Sequence, residues 1–232
     1  MKIGTKFVLG ALAALIVVIP NLALARNHNP GVMPINSHAF GKSYGVWGQE
    51  FAQWIYHFSL EDWPLFQDNG EVDCGNAQSG KVWFLYGALD NGVVRSCTIP
   101  PGKALFIAVN SVLSFAPEFG ATEEDVRDDA NTDVENISSL EVEVDGIRLK
   151  NLYGYRASSP EGGFVFSIEE GSVLTEFGFA PGDREPAVID GYHILLPPLS
   201  AGQHTIYWAS SGELQDGSSY SYDMTWEITV SN

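Results

Sequence analysis

The C-terminal part of the chain alternates strictly between apolar and polar positions. Every second residue from Tyr220 to Val230 is apolar, and Ser, Asp, Thr and Glu occupy the positions between them. A period of two is that of a β-strand with one buried face and one solvent-exposed face. The same alternation predicts a strand over 140–144, and Asp145 followed by Gly146 is typical of a tight hairpin turn.

Apolar runs of strand length occur along most of the chain after residue 80. Turn signals separate them, among them Asp90-Asn91-Gly92, which predicts a hairpin between the strands on either side of it. For 169–186, rich in Gly, Pro and acidic residues, we predict a loop with at most one short strand. The runs that predict strands are 81–86, 93–98, 104–109, 149–156, 164–168, 192–196 and 204–209.

Two segments show helical signals instead. Thr122 and Asp125 have the spacing of a capping box within the acidic segment 117–139, and they predict a short exposed helix that crosses between strands. An amphipathic helix is predicted over 43–58, with Ser43 in position to cap it. Its apolar stripe, spaced at helical intervals, consists of Trp47, Phe51, Trp54, Ile55 and Phe58.

Many short strands separated by turns, with few helices, favour an all-β fold. We therefore predict an antiparallel β-sandwich, jelly-roll-like or Ig-like, with one amphipathic helix near the N-terminus and a short acidic crossover helix. The predicted organisation is a signal peptide over 1–25, an irregular N-terminal arm over 26–42 and a single β-sandwich domain over 43–232.

The N-terminal segment has the pattern of a secretory signal peptide. Lys2 and Lys6 precede an apolar stretch, and Ala23-Leu24-Ala25 matches the small-residue pattern of a cleavage site. The stretch is short for a membrane span, so we predict cleavage after Ala25, a secreted or periplasmic protein, and no membrane insertion after cleavage.

Cys74 and Cys97 are the two cysteines of the chain. An even pair in an exported protein most often forms a disulfide, which we predict here.

The formal net charge of −17 limits the kinds of molecule that the protein can bind. A strongly acidic surface repels nucleic acid, which excludes that class of ligand. The charge indicates either simple solubility or cation binding. Carboxylates over 117–135 and 169–190 are candidates for Ca²⁺ binding, although the ligand order of an EF-hand is absent.

Four segments resemble a family of exported bacterial proteins of unassigned function. The resemblance covers most of the chain after the leader, and it implies export, a disulfide and a β-sandwich. It implies no catalytic residues. The segments are Gly80-Lys-Val-Trp-Phe-Leu-Tyr-Gly87, Cys97-Thr-Ile-Pro-Pro-Gly-Lys-Ala-Leu-Phe106, Val144-Asp-Gly146, and the stretch from Asp190-Gly-Tyr to Leu196-Pro-Pro-Leu-Ser-Ala-Gly-Gln-His204.

The familiar catalytic motifs are missing from the sequence. It contains no nucleophile elbow, phosphate-binding loop, zinc-protease motif or dinucleotide-binding glycine pattern. The leading prediction is therefore a non-catalytic module, and an extracellular carboxylate-based hydrolase of polysaccharides is one alternative. For that hydrolase, Asp68, Asp73 and Glu118 are the candidate catalytic carboxylates, because each lies beside an apolar strand or the predicted disulfide.

Two histidine arrangements suggest metal binding. If the strands around the Pro197-Pro198 turn formed a hairpin, Asp190, His193 and His204 would lie near each other and could bind a metal ion. Ordinary hydrogen bonding within the strands is the alternative interpretation. His28 would be the third residue after cleavage, a position from which it can bind Cu(II) together with the amino terminus. Nothing in the sequence requires a cofactor.

Aromatic residues make up 12% of the chain and suggest a ligand with flat apolar faces. Tyr and Trp rings stack on sugars, and amides bond to the hydroxyl groups. The leading prediction is thus a secreted binding module for a glycan, such as a cell-surface component, or for a divalent cation. A structural or adhesive surface protein is a further alternative. The candidate ligand-binding residues are Trp63, Gln78, Asn110, Tyr153 and Tyr155.

Overall fold

The computed structural model of the protein describes residues 29, 31–67 and 69–232. The predicted signal peptide over 1–25, the first residues of the predicted arm, His28 and Asp68 lie outside the described residues.

Strands make up most of the regular structure. The strands are β1 Gly70–Glu71, β2 Val82–Leu85, β3 Val93–Ile99, β4 Ala104–Phe115, β5 Ile137–Val144, β6 Ile147–Arg148, β7 Arg156–Ser158, β8 Phe164–Ile168, β9 Gly182–Leu196, β10 Gly202–Glu213 and β11 Ser219–Val230. Several are longer than the sequence predicts: β4 continues past its apolar run, β9 begins ten residues before its run, and β10 extends at both ends.

These strands form two mixed sheets. The first has the order β1-β3-β11-β10-β5-β6, and the second has the order β2-β4-β9-β7, with β8 also paired to β9. Three pairs are parallel, namely β1 with β3, β3 with β11, and β2 with β4. The expectation of purely antiparallel pairing is wrong for these three pairs. Neighbours that are distant in the chain are joined here by crossovers between the sheets, which permit parallel pairing.

The predicted hairpin around Asp90-Asn91-Gly92 is also wrong. β2 belongs to the second sheet and β3 to the first, so the turn carries the chain from one sheet to the other. A turn signal indicates a change of direction, but it does not determine which strands pair. The predicted strand over 149–156 is a short 3₁₀ turn at Leu152–Tyr155 instead, with β6 before it and β7 after it.

The two clearest strand predictions are confirmed. β11 pairs with β10 along its whole length, and its alternate residues Met224, Trp226 and Ile228 are buried. The predicted turn after β5 is present, since β5 and β6 form an antiparallel pair around it. Asp145 and Gly146 both have positive φ, 51° and 76°, as a two-residue hairpin turn of the favoured hand requires.

Within the described residues, three α-helices accompany the sheets: α1 Tyr44–Ile55, α2 Glu123–Glu135 and α3 Val173–Glu176. α1 and α2 confirm the two helix predictions. Ser43 accepts a hydrogen bond from the Val46 amide at the start of α1, and Thr122 and Asp125 form the capping box of α2. α3 lies in the segment predicted as a loop, where one turn of helix is too short to produce a periodic signal.

The helices cover the second sheet. α1 contacts β9, β7, β4 and β8, and its stripe residues Trp47, Phe51, Trp54 and Ile55 are buried. α2 contacts β9 and β4 through a narrower apolar stripe. Buried residues of both sheets belong to one hydrophobic core, in which Trp208 and Trp226 of the first sheet are completely buried.

The predicted disulfide is present between Cys74 and Cys97, whose Cα atoms lie 5.8 Å apart. It attaches the segment after β1 to the middle of β3. In the part of the chain that the structure describes, no helix has both the length and the apolar character needed to cross a bilayer.

Candidate ligand-binding site

A pocket of about 310 Å³ lies where α1, β4 and β11 meet. The helix forms one wall, and strands from the two different sheets form the others. Tyr56 after α1, Leu65, the segment 87–89 and Ile189 of β9 complete the lining; within that segment Leu89 is 57% exposed. The wall residues are Phe51, Ala52 and Ile55 from α1, Ala108, Asn110, Ser111 and Leu113 from β4, and Tyr220, Ser221 and Tyr222 from β11.

In the part of the chain that the structure describes, tyrosine is the only ionisable residue type in the pocket lining. No described Asp, Glu, Lys, Arg or His lines it, although the chain has 29 acidic residues. A charged ligand would lose its hydration on entering and would gain no counter-charge, at a cost of several kcal/mol or more (~5 as an order of magnitude). The pocket therefore favours an uncharged molecule with a largely apolar surface.

A β-bulge in β4 lies beside the polar part of the pocket wall. The register between β4 and β9 shifts between Ala108 and Asn110, and the two polar residues that follow the shift, Asn110 and Ser111, line the pocket. Gly191 of β9 pairs with Ser111, and a Cβ on Gly191 would lie 2.3 Å from the carbonyl oxygen of Asn110, so only glycine fits there. Bulges are common next to functional sites, and this one adjoins the polar end of an otherwise apolar pocket.

A hydrogen-bond network surrounds that polar end. Asn110 Nδ2 donates to Ser210 Oγ of β10 and to the Tyr220 hydroxyl of β11, each over 2.8 Å. The Tyr222 hydroxyl donates to the carbonyl oxygen of Val109 in β4. Because these bonds join strands of different sheets, the network fixes the relative positions of the pocket walls.

The tyrosines of β11 contribute a flat wall. The rings of Tyr220 and Tyr222 are stacked, with centroids 6.3 Å apart and planes inclined by 18°. Burial raises the pKa of both hydroxyls, so both remain protonated and neutral at physiological pH. On the α1 side, Phe51 belongs to a cluster of aromatic rings that includes Trp54, Phe84 and Phe106.

A second, more open cleft of about 360 Å³ lies on the other side of α1. Glu50 and Glu169 both line it, together with the ring of Trp54. Its two carboxylates already have partners in the chain: Glu169 Oε2 lies 2.9 Å from His57 Nδ1, and Glu50 pairs with Lys42. It is a surface cleft with internally satisfied charges.

The candidate catalytic carboxylates do not converge on the pocket. Asp73 Oδ1 accepts a hydrogen bond from the Gly75 amide over 2.8 Å, which is a local turn contact. Glu118 Oε1 accepts one from Arg184 Nε over 2.8 Å. Neither lines the pocket or the second cleft. The third candidate, Asp68, lies outside the described residues.

The predicted cluster of Asp190, His193 and His204 does not form. β9 and β10 belong to different sheets, so the hairpin on which that prediction depended is absent. Asp190 Oδ2 accepts hydrogen bonds from Arg156 Nη2 at 2.6 Å and from Arg156 Nε at 3.0 Å. Within residues 29, 31–67 and 69–232, no group of three or more His, Cys, Asp and Glu side chains is arranged to hold a metal ion.

The two histidines have opposite environments. His193 is completely buried and stacks on Phe106, and neither ring nitrogen has a hydrogen-bond partner. Burial lowers its pKa to about 3. For His204, burial lowers the pKa, but hydrogen bonds to Asp145 and to the Ser200 carbonyl oxygen outweigh that effect, so its pKa is raised.

Of the five candidate ligand-binding residues, Asn110 is the one that lines the pocket. Trp63 is buried and donates to the Ile55 carbonyl, and Gln78 bonds to both backbone groups of Phe84. Tyr155 packs against Tyr44. Tyr153 is exposed and donates to Ser138, away from the pocket.

Sequence reasoning missed most of the pocket wall. The alternation places Tyr220 and Tyr222 on the buried face of a strand, and the helical spacing places Phe51 and Ile55 on an apolar stripe, but neither pattern indicates a pocket. One local signal was present: Asn110-Ser111 interrupts an otherwise apolar strand. The pocket itself depends on contacts between residues that are about a hundred positions apart, such as Asn110 and Ser210.

No protein-family model matches this chain, and no curated protein is significantly similar to it. The resemblance to exported bacterial proteins of unassigned function therefore stays a prediction.

Proposed function

We propose that this protein is an exported, non-catalytic binding module that holds a small, uncharged, mainly apolar molecule in the pocket between α1, β4 and β11. The uncharged lining of that pocket, in a strongly acidic chain, is the observation that carries the proposal. Its volume is sufficient, since an apolar cavity of roughly 150 Å³ already admits benzene.

Export is supported by the disulfide, which persists in oxidising compartments such as the periplasm or the cell exterior. The leader pattern of residues 1–25 supports the same assignment. We also assign the two sheets to the β-sandwich class, because Trp208 of the first sheet and Leu105 and Ile107 of the second share one core.

A binding role fits the pocket better than catalysis. The polar side chains of its lining are one amide, two serine hydroxyls and three tyrosine hydroxyls with raised pKa values. Hydrolysis of a glycoside canonically requires a pair of carboxylic groups, and the described residues of this lining offer none. A divalent cation would likewise find no carboxylate there.

An assembly role is less well supported. The strands at the ends of the two sheet orders, β1, β6, β2 and β7, are two to four residues long. Short edge strands are a common way of preventing edge-to-edge association. The structural or adhesive alternative is therefore not the function we favour.

Glycan binding is the second candidate, and the second cleft is the observation that favours it. Trp54 and Phe84 line that cleft together with Glu50 and Glu169, a combination of aromatic and carboxylate groups that suits a sugar. The internal pairing of both carboxylates makes it the weaker candidate.

The test is ligand-detected stabilisation with variants that fill the pocket. Thermal unfolding of the oxidised protein is followed with benzyl alcohol, toluene, Ca²⁺ and a soluble polysaccharide such as xylan. A ligand at about 100 times its Kd adds roughly 2.7 kcal/mol to the free energy of unfolding. We expect stabilisation by the small apolar molecules and none by the cation or the glycan.

Ala52→Leu and Ser111→Leu each place a larger side chain in the pocket from a different wall, so both are expected to abolish the effect. Gln49→Leu adds apolar volume to the same helix outside the pocket lining and serves as the matched control. Stabilisation by xylan alone would shift the function to the second cleft. Stabilisation by none of these compounds, or by benzyl alcohol equally in both filled variants, would contradict the proposal.

A further inference from the structure

We propose that the ligand is a hydroxyl compound, an uncharged alcohol or phenol with an apolar body, and that Asn110 Oδ1 accepts its hydroxyl hydrogen. This inference rests on the proposed function, because it concerns the same pocket. It adds the chemical group that the pocket recognises and the residue that selects it.

The side-chain amide of Asn110 has used its donor capacity inside the protein. A primary amide has two N–H hydrogens and one carbonyl oxygen with two lone pairs. Nδ2 directs one hydrogen to Ser210 Oγ and the other to the Tyr220 hydroxyl. Oδ1 accepts no hydrogen bond within the described part of the chain, and it is not among the fully buried polar atoms that lack a partner. It therefore remains accessible as an acceptor.

The neighbouring hydroxyl groups are also engaged with one another. Tyr222 donates its hydrogen to the Val109 carbonyl, and Ser210 is within hydrogen-bonding reach of both tyrosine hydroxyls. These groups therefore hold the amide of Asn110 in one orientation. A fixed acceptor with a defined direction selects for a donor on the ligand.

Ser111 does not share this role. It follows Asn110 in regular register with β9, so the two side chains leave opposite faces of β4. The selection for a donor on the ligand therefore rests on Asn110 Oδ1. An ether or a ketone has an acceptor oxygen but no O–H hydrogen. On binding it would displace water from Asn110 Oδ1 and leave that oxygen without a hydrogen-bond donor.

Such an unpaired acceptor has a predictable effect on affinity. Burial of a polar group without a hydrogen bond weakens binding by about tenfold or more. Charged analogues are excluded separately, because the lining has no counter-charge. The pocket should therefore distinguish molecules of the same shape by this one group.

The experiment measures Kd by ¹H–¹⁵N NMR titration for benzyl alcohol, benzyl methyl ether, toluene and benzoate. We expect benzyl alcohol to bind about tenfold or more tightly than the ether or toluene, and benzoate to bind most weakly. In Asn110→Leu the alcohol and toluene should bind within about twofold of each other. Asn136→Leu, which changes an exposed amide at the end of α2, should keep the selectivity of the wild type.

The outcomes separate this inference from the proposed function. If the ether binds as tightly as the alcohol, or Asn110→Leu keeps the preference for the alcohol, the hydroxyl inference is wrong while the binding function stands. If none of the four compounds shifts resonances of the pocket residues, both fail. Should Asn110→Leu not fold, the ratio of alcohol to ether affinity in the wild type still decides the ligand class.

Discussion

Asn110 Nδ2 donates a hydrogen bond of 2.8 Å to the hydroxyl of Tyr220, which is 110 residues further along the chain. The bond links β4 of the second sheet to β11 of the first, at the polar end of the pocket. The shape of the pocket thus depends on the same contact that holds the sheets together there, so stability and binding are coupled at this point.

Removal of the Tyr220 hydroxyl should lower the stability of the protein and weaken ligand binding. Tyr220→Phe leaves one N–H of the Asn110 amide without its acceptor, and we expect the free energy of unfolding to fall by about 1 kcal/mol. Tyr153→Phe is the matched control, because its hydroxyl donates to a backbone carbonyl at an exposed position; its effect should stay below about 0.5 kcal/mol. Urea denaturation measures the free energy of unfolding of the two variants. Equal effects of the two substitutions would contradict the structural role of Tyr220.

His193 should make the protein sensitive to acid. Its pKa in the folded state, about 3, lies below the ordinary value of 6.5, so the unfolded chain takes up the proton first as the pH falls. The contribution of His193 to stability is therefore fully present above pH 6.5 and is lost progressively below it, by up to about 5 kcal/mol near pH 3.

His193→Phe tests this dependence. Phenylalanine keeps the ring that stacks on Phe106 and removes two buried nitrogens without hydrogen-bond partners. The variant should be at least as stable as the wild type near neutral pH and should lose less stability between about pH 6 and pH 4. Urea denaturation across that pH range gives the free energy of unfolding of both proteins. If it changed with pH in the same way for the two proteins, His193 would not be the source of the acid sensitivity.

His204 should have the opposite pH dependence. Its Nδ1 lies 2.7 Å from Asp145 Oδ2 and its Nε2 lies 2.9 Å from the Ser200 carbonyl oxygen, so only the protonated ring can donate to both acceptors. Because the pKa is raised in the folded state, this contribution is fully present below pH 6.5 and is lost as the pH rises through the folded-state value.

We expect His204→Gln and Asp145→Asn each to lower stability more at about pH 6 than at about pH 8. The double variant should show nearly the same pH dependence as either single variant, because both remove one interaction. Chemical denaturation at both pH values provides the data. A larger loss at the higher pH would show that the sign of this effect is wrong.

The disulfide should contribute measurably to stability. It closes a loop between residues 23 positions apart, for which chain entropy gives about 3 kcal/mol. The Cys74→Ser, Cys97→Ser double variant should therefore unfold at a lower urea concentration than the oxidised wild type. A decrease in the free energy of unfolding of less than about 1 kcal/mol would contradict the view that the disulfide stabilises the protein by lowering the entropy of the unfolded chain.

Local patterns were sufficient to predict the elements with strong periodicity or caps. The alternation over 220–230 predicted β11 and its buried face, and Ser43 and Thr122 marked the starts of α1 and α2. These features depend on neighbours within a few residues, which the sequence contains directly.

Pairing and the pocket could not be predicted in the same way. The Asp90-Asn91-Gly92 turn suggested a hairpin, but the strands before and after it belong to different sheets, and each pairs with strands from other parts of the chain. Asn110 was identifiable as an amide in an apolar strand, whereas its orientation depends on hydrogen bonds to Ser210 and Tyr220, which are distant in the chain. His193 and His204 were expected to be close together because they flank one turn, and the separation of β9 and β10 into different sheets keeps them apart.

The central claim is that the pocket between α1, β4 and β11 binds a small uncharged molecule. An NMR titration of the wild type and Ala52→Leu with benzyl alcohol tests it most directly. We expect saturable shifts of the Asn110, Ser111 and Tyr220 amides in the wild type and their loss in Ala52→Leu. Shifts confined to the cleft around Glu50 and His57, or no saturable shifts in the wild type, would contradict the claim.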